Sequence, residues 1–311
     1  MESVKSIKDH IAQLSAFVSE CEAKLAVNPN DFAARLELAS LRPKLKSYRD
    51  KLAAENTERY KEVIELRFKG RKADYGSMPL HAIGALTDSF YNALFNTSKH
   101  VQYGDRQKKN GNKIIQETID LRLEDIGKGS TILFISAKTS PDLFGNSIIQ
   151  SSLDKTLGFL NSSDNDLMGN ISNIGVGSIK FLSKLFKELN EDDLELDIKW
   201  RSPEDTTVLW EGSKEKILSL ANTLSKIQIV GTERITIDGK VESLHLKGKM
   251  DVKDEEKNRY SISFPFDLKE EVKTLHVGQP LVVETQKTTI LNEATGRKRS
   301  EYSLVRIISS T

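Results

Sequence analysis

The segment LRLEDIGKGSTILFIS, residues 121–136, decides how the central part of the chain folds. Ile119, Leu121 and Leu123 alternate with charged residues, and TILFI, residues 131–135, is apolar throughout, so both runs are predicted to be strands. The glycines, lysine and serine between them are typical of a phosphate-binding loop. Such a loop leads into a helix, however, whereas this one leads into a strand, and the GxxxxGK[ST] pattern is missing. The segment therefore predicts a β-hairpin in an antiparallel sheet.

The flanking segments extend this hairpin into a mixed α+β domain. The alternating runs EVIELRFKG, residues 62–70, and LELDIKW, residues 194–200, are predicted strands. Residues 76–96, with Pro79 in the first turn, and residues 213–227 have the apolar spacing of helices. The polar run GDRQKKNGNK, which comes before the central hairpin, is predicted to be a loop.

The N-terminal segment predicts two antiparallel helices with apolar seams. Pro29 interrupts the first helical pattern, and Asp31 is placed to cap the second helix. A hairpin this small buries too little surface to be stable alone, so its seam should meet the rest of the chain or a second copy. The residues proposed for self-association are Ile7, Ile11, Leu14, Val18, Leu25, Leu38, Leu41 and Leu45.

The C-terminal segment predicts a small β-barrel. Five strand-like runs begin at Ile227, Lys240, Asn258, Gln279 and Ser300, and a short polar segment between the third and fourth predicts a helical turn. A turn is also predicted at Asp238-Gly239, between the first and second runs. This pattern suits an OB-like or SH3-like barrel.

The resulting fold class is α+β in three parts. An antiparallel helical hairpin spans residues 1–58, a mostly antiparallel sheet with helices spans 59–225, and a small OB- or SH3-like barrel spans 226–311. From LRFKG through the strand ending in Trp200 to IVGTERITID, the order of segments resembles a type of uncharacterised conserved bacterial protein. The resemblance implies no activity and no functional residue. It suggests a role in a bacterial defence or stress system as a hypothesis.

Composition narrows the class of protein. The chain has 311 residues and a formal net charge of +1, and this near-neutral balance argues against a histone-like role. It has one cysteine, which excludes an internal disulfide. No apolar run approaches the length of a membrane span, and the N-terminus lacks the apolar core of a secretory signal. We therefore expect a cytoplasmic protein without a membrane partner.

Catalytic patterns are missing from the sequence. The histidines have no metal-binding spacing, Cys21 belongs to the helical seam, and the glycines at 175 and 177 lack the third glycine of GxGxxG. These two glycines are better explained by close helix packing or a linker. No catalytic residue, metal site or cofactor is predicted.

An acidic segment and several basic loops remain as candidate binding features. The acids of residues 191–197 could bind Mg²⁺, form a solvated strand edge or dock a basic partner. The basic residues, with one aromatic neighbour, could contact DNA or RNA. They are Arg106, Lys108, Lys109, Arg297, Lys298, Arg299 and Tyr302.

Three functional hypotheses follow from these features. The first is a non-catalytic scaffold that self-associates through its helical hairpin and presents the barrel to another protein. The second is a nucleic-acid-binding protein that uses the barrel and the basic loops. The third is a metal-dependent enzyme whose carboxylates converge only in the folded chain.

Overall fold

A computed structural model describes most of the chain, which separates into two compact units, residues 1–61 and 62–311. The described ranges are 4–28, 31–59, 61–74, 77–106, 108–127, 130–138, 147–203, 206–245 and 248–310. Within these ranges, no helix combines the length and the apolar character needed to cross a membrane. The predicted boundary between residues 225 and 226 lies inside the second unit and stays a prediction.

The first unit is the predicted helical hairpin. Helix α1 spans Val4–Val27 and helix α2 spans Phe32–Arg59. The side chain of Asp31 accepts a hydrogen bond from the backbone N–H of Ala34 at 3.0 Å, which is the expected cap of α2. The apolar residues recur every three or four positions, so they share one face of each helix, and this face is turned towards the other helix. The buried apolar residues of this unit are Val18, Cys21, Ala34 and Leu45.

The second unit begins with a five-stranded sheet in the order β2-β3-β1-β4-β5. The strands are β1 Lys61–Lys69, β2 Arg122–Gly127, β3 Thr131–Lys138, β4 Glu195–Arg201 and β5 Thr207–Gly212. The pairs β2–β3, β1–β4 and β4–β5 are antiparallel, which confirms the predicted central hairpin and the antiparallel sheet. Residues 128–129 of the glycine loop lie outside the described residues.

The strand predicted to start at Ile119 was placed too early. Residues Gly111–Ile119 form helix α4, and Ile115 and Ile119 are buried because they share one face of it. Alternation over only three apolar residues did not distinguish the last turn of a helix from the first residues of a strand. Part of the predicted polar loop therefore belongs to α4.

In the described part of the second unit before the barrel, six helices contribute apolar residues to the same core as the sheet. They are α3 Leu80–Tyr103, α4, α5 Ile148–Leu160, α6 Asp164–Ile174, α7 Val176–Glu191 and α8 Lys214–Ser225. Trp210 of β5 is fully buried, and the centroid of its ring lies 5.7 Å from that of Phe186 in α7. Its indole N–H donates a hydrogen bond to the carbonyl of Leu160 in α5 at 2.9 Å. This one side chain joins the sheet to two of the helices.

Gly175 separates α6 from α7 and allows α3 to lie against their junction. Its φ of 76° lies in the left-handed region, and a Cβ atom there would come within 2.6 Å of the His100 ring. Gly177 is similarly close to Asn96, where a Cβ atom would meet Oδ1 at 3.0 Å. Close helix packing therefore accounts for both glycines.

The C-terminal segment is a closed five-stranded barrel in the order β10-β8-β7-β6-β9. Its strands are β6 Ile227–His245, β7 Lys249–Lys253, β8 Arg259–Ser263, β9 Pro280–Asn292 and β10 Arg297–Ser310. A short helical segment, Phe266–Leu268 followed by α9 Lys269–Lys273, stands between the third and fourth strands, as predicted. Strands β8 and β10 pair in parallel and the other pairs are antiparallel, which is the arrangement of an OB fold.

The turn predicted at Asp238-Gly239 is wrong, because β6 continues through both residues. It is a single strand of 19 residues. A Cβ atom on Gly239 would lie 2.4 Å from the carbonyl oxygen of Lys253. Glycine is therefore needed here for the close approach of β7 and not for a change of chain direction.

Candidate interaction surface

The basic residues between α3 and α4 are held by a carboxylate of the barrel segment. Arg106 is half-buried and forms an ion pair with Asp267, and Lys108 lies 3.8 Å from the same carboxylate. Burial raises the pKa of Asp267, although Arg106 and Lys108 act in the opposite direction. Lys109 is exposed. Two of these three residues, which were predicted to contact nucleic acid, therefore link the segment between α3 and α4 to the barrel segment.

The second basic set lies on the first residues of β10, immediately after the β9–β10 turn. Arg297 and Lys298 are exposed and pair with the end of β9. Arg299 lies 3.7 Å from Glu301, and its guanidinium lies against α6 at Gly169. All three residues are exposed, but Arg299 has these contacts with a carboxylate and a helix, which leaves Arg297 and Lys298 as the candidates for a phosphate contact.

The structure does not bring the two basic sets to one place. Gly104 lies against Ser303 of β10, and Ser303 is six strand positions beyond Arg297, about 20 Å away at the usual strand rise. Tyr302 packs edge-on against Tyr260, with ring centroids 5.4 Å apart, and both rings contact the barrel core. Phe264 is 6% exposed and belongs to that core, so it offers no face to a base.

The outer face of β7 and β8, where OB folds bind oligonucleotides, carries charges that are already paired. Asp251 accepts hydrogen bonds from Ser243 at 2.6 Å and from Arg259 at 2.8 Å. Burial acts to raise the pKa of Asp251, but these hydrogen bonds outweigh it and lower the pKa. Arg259 also contacts Glu242 at 2.9 Å, and Lys253 lies 4.0 Å from Glu242. A nucleic acid at this face would meet a locally neutral network.

The acidic segment before and within β4 is paired with lysines. Asp192 contacts Lys72 at 2.7 Å, and Asp193 contacts Lys214 at 2.7 Å. Asp197 and Glu191 also form ion pairs with lysines. Over the described ranges, no three His, Cys, Asp or Glu side chains are placed to share a metal ion.

The predicted seam of the hairpin is partly buried inside the hairpin. Val18 and Leu45 are buried, and the side chain of Ile7 lies outside the described residues. The half-buried seam residues are Ile11, Leu14, Leu25, Leu38 and Leu41. Three large apolar side chains of the same hairpin are exposed, namely Phe17 at 53%, Phe32 at 77% and Leu36 at 63%. The hairpin thus retains apolar surface beyond its own seam.

The first half of β6 is an open edge of the barrel sheet. It pairs with β9 from Ile227 to Lys240, whereas its pairing with β7 begins only at Lys240. Across the described residues, no strand pairs with the opposite side of β6 between 227 and 239. Ile229 and Val230 on this stretch are 54% and 52% exposed.

An open apolar groove of about 280 Å³ adjoins this edge. It lies between α7, the end of α8 and the start of β6. Ile179 and Leu224 are buried beside it, while Ile229 at its rim is exposed. The lining residues are Val176, Ile179, Lys180, Leu224, Ile227 and Ile229, together with two serines. A groove of this kind beside an unpaired strand is a candidate interaction surface.

A small polar cavity of about 20 Å³ lies between the helices α3, α5 and α6 and the barrel. This volume accommodates about one water molecule. His100 Nε2 lies 3.0 Å from the carbonyl oxygen of Ser172, and its Nδ1 lies 3.4 Å from the Asp105 carboxylate. Lys155 and Lys249 also line the cavity.

Two ionisable groups at this junction have strongly shifted pKa values. Burial lowers the pKa of Lys155 to about 8, with Lys249 adding repulsion and Asp154 opposing the shift. Burial raises the pKa of Glu301 to about 7 against the attraction of Arg299, the backbone N–H of Ser172, His100 and Lys249.

No protein-family model, curated protein or solved structure matches the chain. The sequence marked residues 227–239 of β6 as a strand-like run but did not show which edge of it is free, since that depends on strands far along the chain. The uncharged run IQIVG, residues 227–231, was the available signal.

Proposed function

We propose that the chain is a non-catalytic interaction subunit that self-associates through its helical hairpin and presents the barrel to a partner protein. The observation that carries the proposal is the open edge of β6 beside an apolar groove. Exposed strand edges and apolar grooves are surfaces by which proteins bind other proteins. The exposed Phe17, Phe32 and Leu36 support self-association of the hairpin. A setting in a bacterial defence or stress system and a cytoplasmic location stay predictions.

Replacing both Phe17 and Leu36 with glutamate is expected to convert a self-associated chain into a monomer. Both side chains are exposed, so the charges should disrupt contacts between copies while leaving the hairpin folded. Light scattering during size-exclusion chromatography measures the molar mass, and circular dichroism measures the helical content.

The matched control adds the same charges at Ser19 and Ser40, which are exposed on α1 and α2. This S19E/S40E chain should keep the mass of the unmodified protein. A monomeric unmodified chain, or an equal loss of mass in the control, would contradict self-association through the apolar residues of the hairpin.

Nucleic-acid binding is the second candidate function, and the exposed Arg297 and Lys298 favour it. They directly follow the β9–β10 turn, which corresponds to a loop by which OB folds contact oligonucleotides. The neutral β7–β8 face and the ion pair of Arg106 argue against it. This candidate therefore ranks below the interaction subunit.

If the second candidate is right, the R297A/K298A chain should bind single-stranded DNA about ten-fold more weakly than the unmodified chain. The dependence of log K on log salt should also become shallower by about 1.4, because each lost phosphate contact contributes about 0.7. Fluorescence anisotropy at several salt concentrations measures both quantities. A K113A/K240A chain, which loses two exposed lysines elsewhere, is the control. Equal affinity of all three chains would remove Arg297 and Lys298 from the site.

A further inference from the structure

We propose that the open edge of β6 and its groove bind an extended peptide, rich in acidic and apolar residues, from a partner protein as an added β-strand. This inference rests on the proposed function as an interaction subunit and names the partner chemistry of the same surface. The argument combines the backbone of the edge, the shape of the groove and the local charge.

The backbone of β6 supplies the hydrogen-bonding groups for an added strand. In a strand, successive N–H and C=O groups point alternately to the two sides, so half of those between 228 and 236 face away from β9. No strand of the described chain pairs with that side. Around Gly231, nothing lies within 4 Å of the position a Cβ atom would take, so the face of the sheet is also open at this residue.

The first part of the β6 edge, from Ile227 to Thr232, lacks the charges that are present on the open strands β2 and β10. Natural sheets discourage edge pairing with charged residues, proline or a bulge. Strand β2 carries Arg122, Glu124 and Asp125, and β10 begins with Arg297. The run from Ile227 to Thr232 contains neither a charged residue nor a proline, although a bulge is present near Gly231.

The groove supplies specificity for apolar side chains. Ile227 and Ile229 are two positions apart and both line the groove, together with Ile179 and Leu224 from the helices. Alternate side chains of an added strand project to the same face of the sheet. Every second residue of the peptide would therefore enter the groove, and an aliphatic residue there would bury apolar surface.

Local charge favours an acidic peptide. Lys180 is the charged residue of the groove lining, and Lys226 is exposed beside it. Of the acids nearby, Glu233 on the edge is paired with Lys287 at 2.6 Å, and Glu293 is exposed opposite Lys226, where its backbone N–H donates a hydrogen bond to the carbonyl of Lys226 at 3.0 Å. The residues between the aliphatic ones project to the face opposite the groove, which is also the face of Lys226, the residue before Ile227. Glutamate or aspartate there would be attracted to Lys226, whereas a basic peptide would be repelled by both lysines.

The direct test uses the full-length chain and a fluorescent seven-residue probe that alternates glutamate with valine or isoleucine. Fluorescence anisotropy should show saturable binding, at least ten-fold tighter than that of the same peptide with lysine in place of glutamate. I229D should weaken binding at least ten-fold. I308D is the matched control, because Ile308 is 50% exposed on β10 and does not line the groove.

N-methylation of the probe distinguishes an added strand from simple apolar contact. Two versions carry methyl groups on either the odd or the even backbone amides, which removes the donors on one side of the peptide strand. Strand addition requires one version to lose binding and the other to keep it. Binding by both versions would overturn strand addition, and failure of the unmethylated probe to bind would overturn the site. Peptide binding does not depend on oligomeric state, so a monomeric chain that binds the probe would refute only hairpin self-association.

Discussion

Replacing Lys155 with methionine is expected to stabilise the folded chain by about 3 kcal/mol at pH 7. The lysine lines the small cavity between the helices and the barrel, where burial and the nearby Lys249 lower its pKa from 10.5 to about 8. At about 1.4 kcal/mol for each pH unit, this lowering corresponds to about 3 kcal/mol. Methionine has a similar length and carries no charge to desolvate.

The sign of the pH dependence follows from the lowered pKa. Between pH 8 and 10.5 the folded chain binds fewer protons at Lys155 than the unfolded chain, so rising pH stabilises the folded state in this window. The advantage of methionine should therefore be complete below pH 8 and vanish near pH 10.5. Urea unfolding at several pH values measures it. A K109M chain, altered at an exposed lysine, should change by less than about 0.5 kcal/mol. Destabilisation by methionine at pH 7 would show that the ammonium group makes a net favourable contact.

Replacing Glu301 with glutamine is expected to remove a large pH dependence of stability and to stabilise the chain by about 3 kcal/mol at pH 8. The side chain of Glu301 is 11% exposed, and burial raises its pKa from 4.5 to about 7 despite Arg299 and the other cations nearby. The carboxylate is therefore less stable in the folded chain than in water. Glutamine keeps the shape of the side chain and stays neutral.

For this raised pKa the folded chain binds more protons than the unfolded chain between pH 4.5 and 7. The unmodified chain should lose stability as pH rises through that window, and the E301Q chain should not. The two should differ little below pH 4.5 and most above pH 7. Free energies of unfolding at pH 4.5, 6 and 8 measure this divergence. Parallel profiles for the two chains would contradict a buried carboxylate at this position.

The fold class could be predicted because each element carries its own pattern. The apolar spacing of α1 and α2 and the capping residue Asp31 are local sequence signals. The alternation of Leu196, Ile198 and Trp200 in β4 is a local signal too. Period and capping depend on residues a few positions apart, and burial of one face follows from them. The errors occurred where local signals conflict, as at Ile119 and at Asp238-Gly239.

The candidate surface could be predicted only in part. The uncharged strand IQIVG was visible, but the turn assigned to Gly239 divided β6 and concealed its long open edge. The basic residues were visible too, yet Arg106 pairs with Asp267, which is 161 positions away. The sequence does not show such a distant contact, so an arginine that is paired in the folded chain cannot be distinguished there from one that is free.

The sequence by itself determined the helices of the hairpin, the antiparallel sheet and the presence of a small barrel, because hydrophobic periodicity and turn residues act over short distances. It did not determine the limits of the first two barrel strands, since two predicted runs fall on β6. The tertiary structure alone decided which edge of β6 stays open, which charges neutralise each other and how deeply Lys155 and Glu301 are buried. These properties depend on contacts between residues that are distant along the chain. Solvent exposure and electrostatic energy are set by such contacts, so no local pattern encodes them.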